Sequence, residues 1–264
     1  MLPFKCAPWL ARNTSIAVLA AGLTGCSSQP PPNTDVACVD ISYSVYDPAE
    51  PFNRAVFAFN RTVDDYALAP VARGYRYLPD FFQTGVHNFV ANFGEPKVFI
   101  NDLLQGNPMR SVNTLGRFAL NTTVGVVGLI DVSGMAGIAR HDADFGQTFG
   151  VWGIGNGPIV ELPLFGTSNS RDAAGRVLGF VVDPFGSNSD TVEMLSTINT
   201  VGGIVDGRAE ALPLTDSLQK LPDYYSALRN VVAEHRAAYV ADGKQGSPEN
   251  TTPPQCTGAP ADGF

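Results

Sequence analysis

The chain is short of nearly everything that catalysis, metal binding or nucleic-acid binding requires. Its three histidines, His87, His141 and His235, stand at no metal-ligand spacing, and no HExxH, CxxC pair or EF-hand loop occurs. Gly153, Gly155 and Gly157 begin a dinucleotide-like pattern, but Pro158 and Val160 occupy the positions where its closing glycine belongs. Gly243-Lys244 is followed by Gln245, which is no phosphate loop, and Gly166 to Ser170 lacks the last glycine of a nucleophile elbow. Asp131, Ser133 and His141 make a conceivable triad, although chance places such trios in most chains of this length. No catalytic residue, metal or cofactor is therefore expected, and a binding or transport role is favoured. Charge is scarce too, at 16% of residues, which is low for a soluble surface. A net charge of −8 with no basic patch between aromatics sets nucleic acid aside.

Cysteine is rare, four in 264 residues, and Cys26 is the informative one. Lys5 and Arg12 form a positive n-region, and Ile16 to Leu23 a short apolar h-region, so residues 1–25 read as a signal peptide. Leu23-Thr24-Gly25-Cys26 resembles a bacterial lipobox, whose cysteine is acylated before cleavage; an ordinary signal peptide with an incidental cysteine is the other reading. Several acyl chains, at about 0.8 kcal/mol per buried CH₂, make a permanent anchor. Ser27 follows, where aspartate would signal inner-membrane retention, and this favours the outer membrane. Without Lys5 and Arg12, 15 basic residues face 25 acidic ones. Cys38 and Cys256 flank the folded region; an oxidising periplasm would allow them to pair, and two unrelated thiols are the alternative.

Residues 26–46, with Pro30-Pro31-Pro32, read as a lipidated tether, and 241–264 as a disordered tail without apolar periodicity. The body, 47–240, shows no fixed-period repeat and is mainly α. Phe52, Val56, Phe59, Val63 and Tyr66 recur at helical spacing, with Asn53, Asn60, Arg61, Asp64 and Asp65 opposite and Pro70 marking the end. A second helix follows Pro79 and breaks at Gly94-Glu95-Pro96; a third runs from Lys97 to Gln105. Asn107-Pro108 starts another that continues through Phe118. The run from Gly150 to Gly166 reads as loop or short strand, and helices are expected over 171–182, from Asp190, and from Pro222.

Residues 118–139 pose the main question. Thirteen uncharged residues precede Asp131 and eight follow it, so the run is too interrupted for a spanning helix of about 20 apolar residues. Gly125, Gly128, Gly134 and Gly137 would cost about 1 kcal/mol each inside a helix. The segment should bend and pack its backbone closely. Either it is a glycine-rich core hairpin, or its valines and isoleucines face something apolar outside the fold. The phenylalanines at 52, 57 and 59 crowd two adjacent helix faces, which suits helices laid against lipid.

"DPAEPFNRAVFAFN" (47–60), "NFVANFGEPKVFINDLLQG" (88–106), "RFALNTTVGVVGLIDVSGMAG" (117–137) and "FGQTFGVWGIGNGPIVELPLFGTSNSRDAAG" (145–175), with Asp183-Pro184 close behind, resemble the outer-membrane lipoprotein family called VacJ or MlaA. Over 224–240 the likeness is weaker, Val231 and Val232 standing where a tyrosine is common, and the tail is unaccounted for. The resemblance implies a ring of amphipathic helices within the outer membrane, open to the periplasm. It implies removal of stray phospholipid from the outer leaflet to a soluble periplasmic carrier, association with a trimeric porin, and no bond broken. On that reading Val124, Val127, Leu129 and Ile130 are wall of a lipid path, Asn121 and Asp131 its polar points, and the four glycines let the wall bend. A structural lipoprotein that binds porins or envelope partners without moving lipid is the alternative. A lipid hydrolase is disfavoured for want of a nucleophile.

Overall fold

The computed structural model describes residues 45–182 and 189–246. The signal peptide, Cys26, Cys38, Asp183-Pro184, Cys256 and most of the tail lie outside the described residues.

Helix α1 (Glu50–Val63) runs through a π-helical turn (Asp64–Leu68) into α2 (Ala69–Tyr75). Pro70 therefore does not end the first helix. The wider turn shifts the hydrogen-bond pattern, with the Ala69 N–H reaching Asp64 O, so the amide that proline lacks falls at the start of a new register. Likewise α3 (Asp80–Leu104) passes unbroken through Pro96, where sequence reading places a break. An interior proline costs about 3 kcal/mol or more, and here packing along the whole helix outweighs it. Helix α3 lies against α4 (Pro108–Thr123), which stops short of the glycine-rich run.

The short helices α5 (Val132–Met135) and α6 (Phe145–Val151) follow, then a hairpin of β1 (Ile159–Leu162) and β2 (Gly166–Asn169), antiparallel with Leu162 opposite Gly166. Helix α7 (Ser170–Val181) packs on α6 and starts one residue before its expected position. Helix α8 (Asp190–Leu218) is capped by Ser189 and packs on α2 and α3. Helix α9 (Tyr224–Gln245), capped by Asp223, contacts α6 and extends five residues beyond the expected boundary at 240.

The polarity of this fold is inverted. Among the described residues, 20 polar or charged side chains are buried against 11 apolar ones, while phenylalanines, valines and leucines crowd the surface. Buried polar groups and large exposed apolar faces are the informative departures from a soluble globule. Helix α1 shows the cause. Its phenylalanine face points outward, Phe52 being 67% exposed, and Asn53 is its buried residue. Asn53 donates from Nδ2 to Ile159 O (3.1 Å) and accepts the Glu161 N–H (3.1 Å), and Asn60 donates to Leu162 O (2.9 Å) and accepts from Leu164 (2.7 Å). Two asparagines seven residues apart thus read the hairpin backbone, filling hydrogen-bond positions that would be costly to leave empty. Helix α4 repeats the pattern: Arg110, Ser111, Thr114, Arg117 and Asn121 face inward, and Val112, Leu115 and Leu120 face out.

Candidate functional site

The glycine-rich run folds as a helix end, a tight turn and the single turn of α5. Val126 (φ 54°), Val127 (φ 58°) and Gly128 (φ 89°) are three consecutive left-handed residues. For a β-branched residue this costs about 1–3 kcal/mol and persists only where the surroundings enforce it. Three backbone bonds do so: the Val127 N–H donates to Thr122 O (3.1 Å), Gly128 to Asn121 O (2.8 Å) and Ile130 to Gly125 O (2.9 Å). Helix α3 holds the turn from outside, with Asn88 Nδ2 on Leu129 O (3.1 Å) and Asn92 Nδ2 on Thr122 Oγ1 (3.0 Å).

Gly125 and Gly128 occupy positions that exclude a side chain. A Cβ on Gly125 would strike the Ile130 carbonyl and the Asn121 backbone, and one on Gly128 would come within 2.5 Å of the Asn92 Cβ. Gly134 faces the Asp131 carboxylate, and Gly137 looks into open space. Gly128→Val is expected to destabilise the protein by about 2–4 kcal/mol through backbone strain and overpacking. Thermal unfolding in detergent measures it, and an unchanged midpoint would mean that the turn does not depend on this packing.

The turn presents an apolar outer surface: Val124, Val126, Val127, Leu129 and Ile130 are each 46–62% exposed. Beneath it lies a buried ionic floor. Arg117 donates from Nε to Glu95 Oε1 (3.1 Å), from Nη1 to Ile138 O (2.5 Å) and from Nη2 to Asp131 Oδ1 (3.0 Å). The same Asp131 oxygen accepts Asn121 Nδ2 and the Gly134 N–H, both at 2.9 Å, which makes Asp131 the cap of α5. Burial pushes the Asp131 carboxyl up, but the Gly134 amide, Asn121 and Arg117 outweigh it and hold the group below its usual range. At Glu95 burial wins, raising the carboxyl despite Arg117 beside it.

Asn121 lies under the wall rather than on it. It is 3% exposed, and its Oδ1 accepts the Ser133 N–H at 2.9 Å. The trio suggested by sequence is not assembled. Ser133 is fully buried with Oγ directed to Arg117 O (3.4 Å), and His141 Nε2 sits 2.9 Å from both oxygens of Asp102. Asp144 caps α6 and pairs with Arg236 at 2.8 Å. Burial raises its carboxyl, but the Arg236 guanidinium and the Gln147 amide bring it below its usual range.

Two cavities lie elsewhere, and residues 118–139 line neither. One of about 130 Å³ is bounded by Lys97, Asp144, Asp172, Arg176 and Arg236; the other, of about 340 Å³, by Tyr75, His87, Asp206 and Glu210. In the second, His87 meets two carboxylates from which 119 and more residues of chain separate it. Sequence spacing carries no sign of that meeting beyond the two acids four residues apart.

Residues 45–239 match the family model of the MlaA lipoprotein. The chain belongs to the MlaA lipoprotein family. It is 34% identical over 215 residues to the intermembrane phospholipid transport system lipoprotein MlaA of Escherichia coli (strain K12), a match that covers 77% of this chain and 81% of that protein. The MlaA of Haemophilus influenzae is 30% identical over 239 residues, covering 85% of this chain and 88% of its own. A solved structure described as the structural basis for maintenance of bacterial outer membrane lipid asymmetry superposes with a TM-score of 0.64 at 35% identity, covering 74% of this chain and 98% of that one. The family resemblance read from the motifs is thus borne out, together with the mainly helical fold. Among the described residues no helix is long and apolar enough to cross a membrane.

Proposed function

We propose that this protein transports phospholipid between membranes without chemistry, taking stray phospholipid from the outer leaflet of the outer membrane and passing it to a soluble periplasmic carrier. Cys26 anchors it by acyl chains, a proline-rich tether leads to the helical body, and that body forms a ring beside a trimeric porin. The observation that carries the reading is the turn at 124–130. Five branched aliphatic side chains stand exposed on a rigid, strained backbone directly above the Glu95–Arg117–Asp131 floor. A phospholipid needs both properties close together: apolar wall for its tails and fixed polarity near its headgroup. The inverted helices support the same reading, since outward phenylalanines on α1 gain a solvent in lipid that water does not offer. The family relationship supplies the cargo class, since the Escherichia coli relative is a lipoprotein of intermembrane phospholipid transport.

The test is a deletion strain complemented by variants. Surface-exposed phospholipid should rise on deletion and return to normal with the wild-type chain. Val124→Asn with Val127→Asn, both at exposed positions and the second putting at φ 58° a residue that tolerates left-handed backbone better than valine, should fold and fail to restore the surface. Full restoration by that variant would remove the wall from the path. A normal surface in the deletion strain, with defective porin assembly, would favour the structural lipoprotein instead.

A further inference from the structure

The cleft between α3 and α8 gathers three groups that the transport reading does not use. His87 Nδ1 lies 2.9 Å from Asp206 Oδ2 and 3.1 Å from Glu210 Oε1. One ligand atom from each residue falls within 4.8 Å of the others. Tyr75 donates its hydroxyl to the other Asp206 oxygen at 2.9 Å, fixing that carboxylate in the manner of an outer-shell partner. The side chain of Asp206 is only 9% exposed, whereas those of His87 (42%) and Glu210 (62%) open into the 340 Å³ cavity.

Arg76 lines the same cavity and Arg140 stands behind His87, yet neither pairs with the two carboxylates of this cleft. Asp206 and Glu210 are like charges one helical turn apart on α8, an arrangement that weakens a helix. Their partners are an imidazole and a phenol, neither with a fixed positive charge. A divalent cation would pair directly with both carboxylates, which no guanidinium here does.

We propose that His87, Asp206 and Glu210 form a binding site for a zinc-class divalent cation that clips α3 to α8. One nitrogen and two carboxylate oxygens suit zinc, and the cavity leaves room for water to complete four-coordination. Ligands about 2 Å from the ion stand about 3–4 Å from one another, a spacing these side chains reach by small rotations. Nδ1 must be the ligating nitrogen, because both carboxylates face it. Arg140 Nη1, which can only donate, lies 3.4 Å from Nε2, so that nitrogen is an acceptor in the metal-free form and Nδ1 carries the proton. Metal at Nδ1 moves the ring proton to Nε2 and turns Arg140 toward Asp142, its existing partner at 3.1 Å. Magnesium, which prefers all-oxygen coordination, should not compete.

The experiment titrates zinc into the full chain in detergent against a chromophoric chelator and follows the thermal midpoint with and without zinc. One zinc per chain and a zinc-dependent rise in the midpoint are expected, with magnesium inert. His87→Ala and Glu210→Gln should each weaken binding by about tenfold or more and abolish the rise. Each variant is judged against its own metal-free midpoint, so a general loss of stability does not imitate the result. No saturable zinc binding by the wild type, or equal affinity in both variants, would overturn the site and leave the transport reading untouched.

Discussion

Replacing Arg117 with methionine is expected to cost about 3–5 kcal/mol of folding stability, the usual penalty when one partner of a buried ion pair is removed. The side chains of Arg117 and Glu95 are 2% and 3% exposed, so Glu95 would keep its burial and lose its counter-charge. The Ile138 carbonyl and Asp131 would lose donors in the same step, and both belong to the segment that carries the turn. The loss should appear as a lower denaturant midpoint in detergent. Adding Glu95→Gln to Arg117→Met should recover part of it, because the amide does not strand a charge. Wild-type stability in the single variant would mean that water reaches this floor and that its ion pair has little structural weight.

Cys26→Ala is expected to abolish labelling with palmitate and to remove the protein from the outer-membrane fraction. At about 0.8 kcal/mol per buried CH₂ the acyl chains outweigh any peripheral contact. Density-gradient fractionation with immunoblotting makes the measurement. An unchanged outer-membrane fraction in the alanine variant would defeat lipidation at this cysteine.

Much of the fold was legible because helical periodicity depends only on which residues share a face. The asparagines opposite the phenylalanines of α1 were visible as a polar face; what was not visible is that this face points inward. Periodicity separates two faces without saying which one meets solvent, and Asn53 is settled only by the hairpin backbone against it. The breaks read at Pro70 and Pro96 failed for a related reason. Local propensity is a penalty of a few kcal/mol, and a π-helical turn in one case and long packing in the other offset it.

The site was legible as a segment and less so as residues. Val124, Val127, Leu129 and Ile130 are exposed, in keeping with a wall. Asp131 and Asn121, read as polar points on a path, form the floor that holds the turn, so Asp131→Leu should damage folding as well as transfer. Val126 stands exposed beside them, although a valine at φ 54° contradicts every local preference. Only the bonds from Thr122, Asn121 and Gly125 across the turn explain it.

By itself the sequence determined family, mainly helical class and the glycine-rich segment, since each rests on residue types at short spacing. Tertiary structure alone decided which faces turn inward, that Arg117 joins Glu95 to Asp131, and that His87 meets Asp206 and Glu210. Those depend on contacts between residues far apart in the chain, where no local spacing reveals which groups burial will force together.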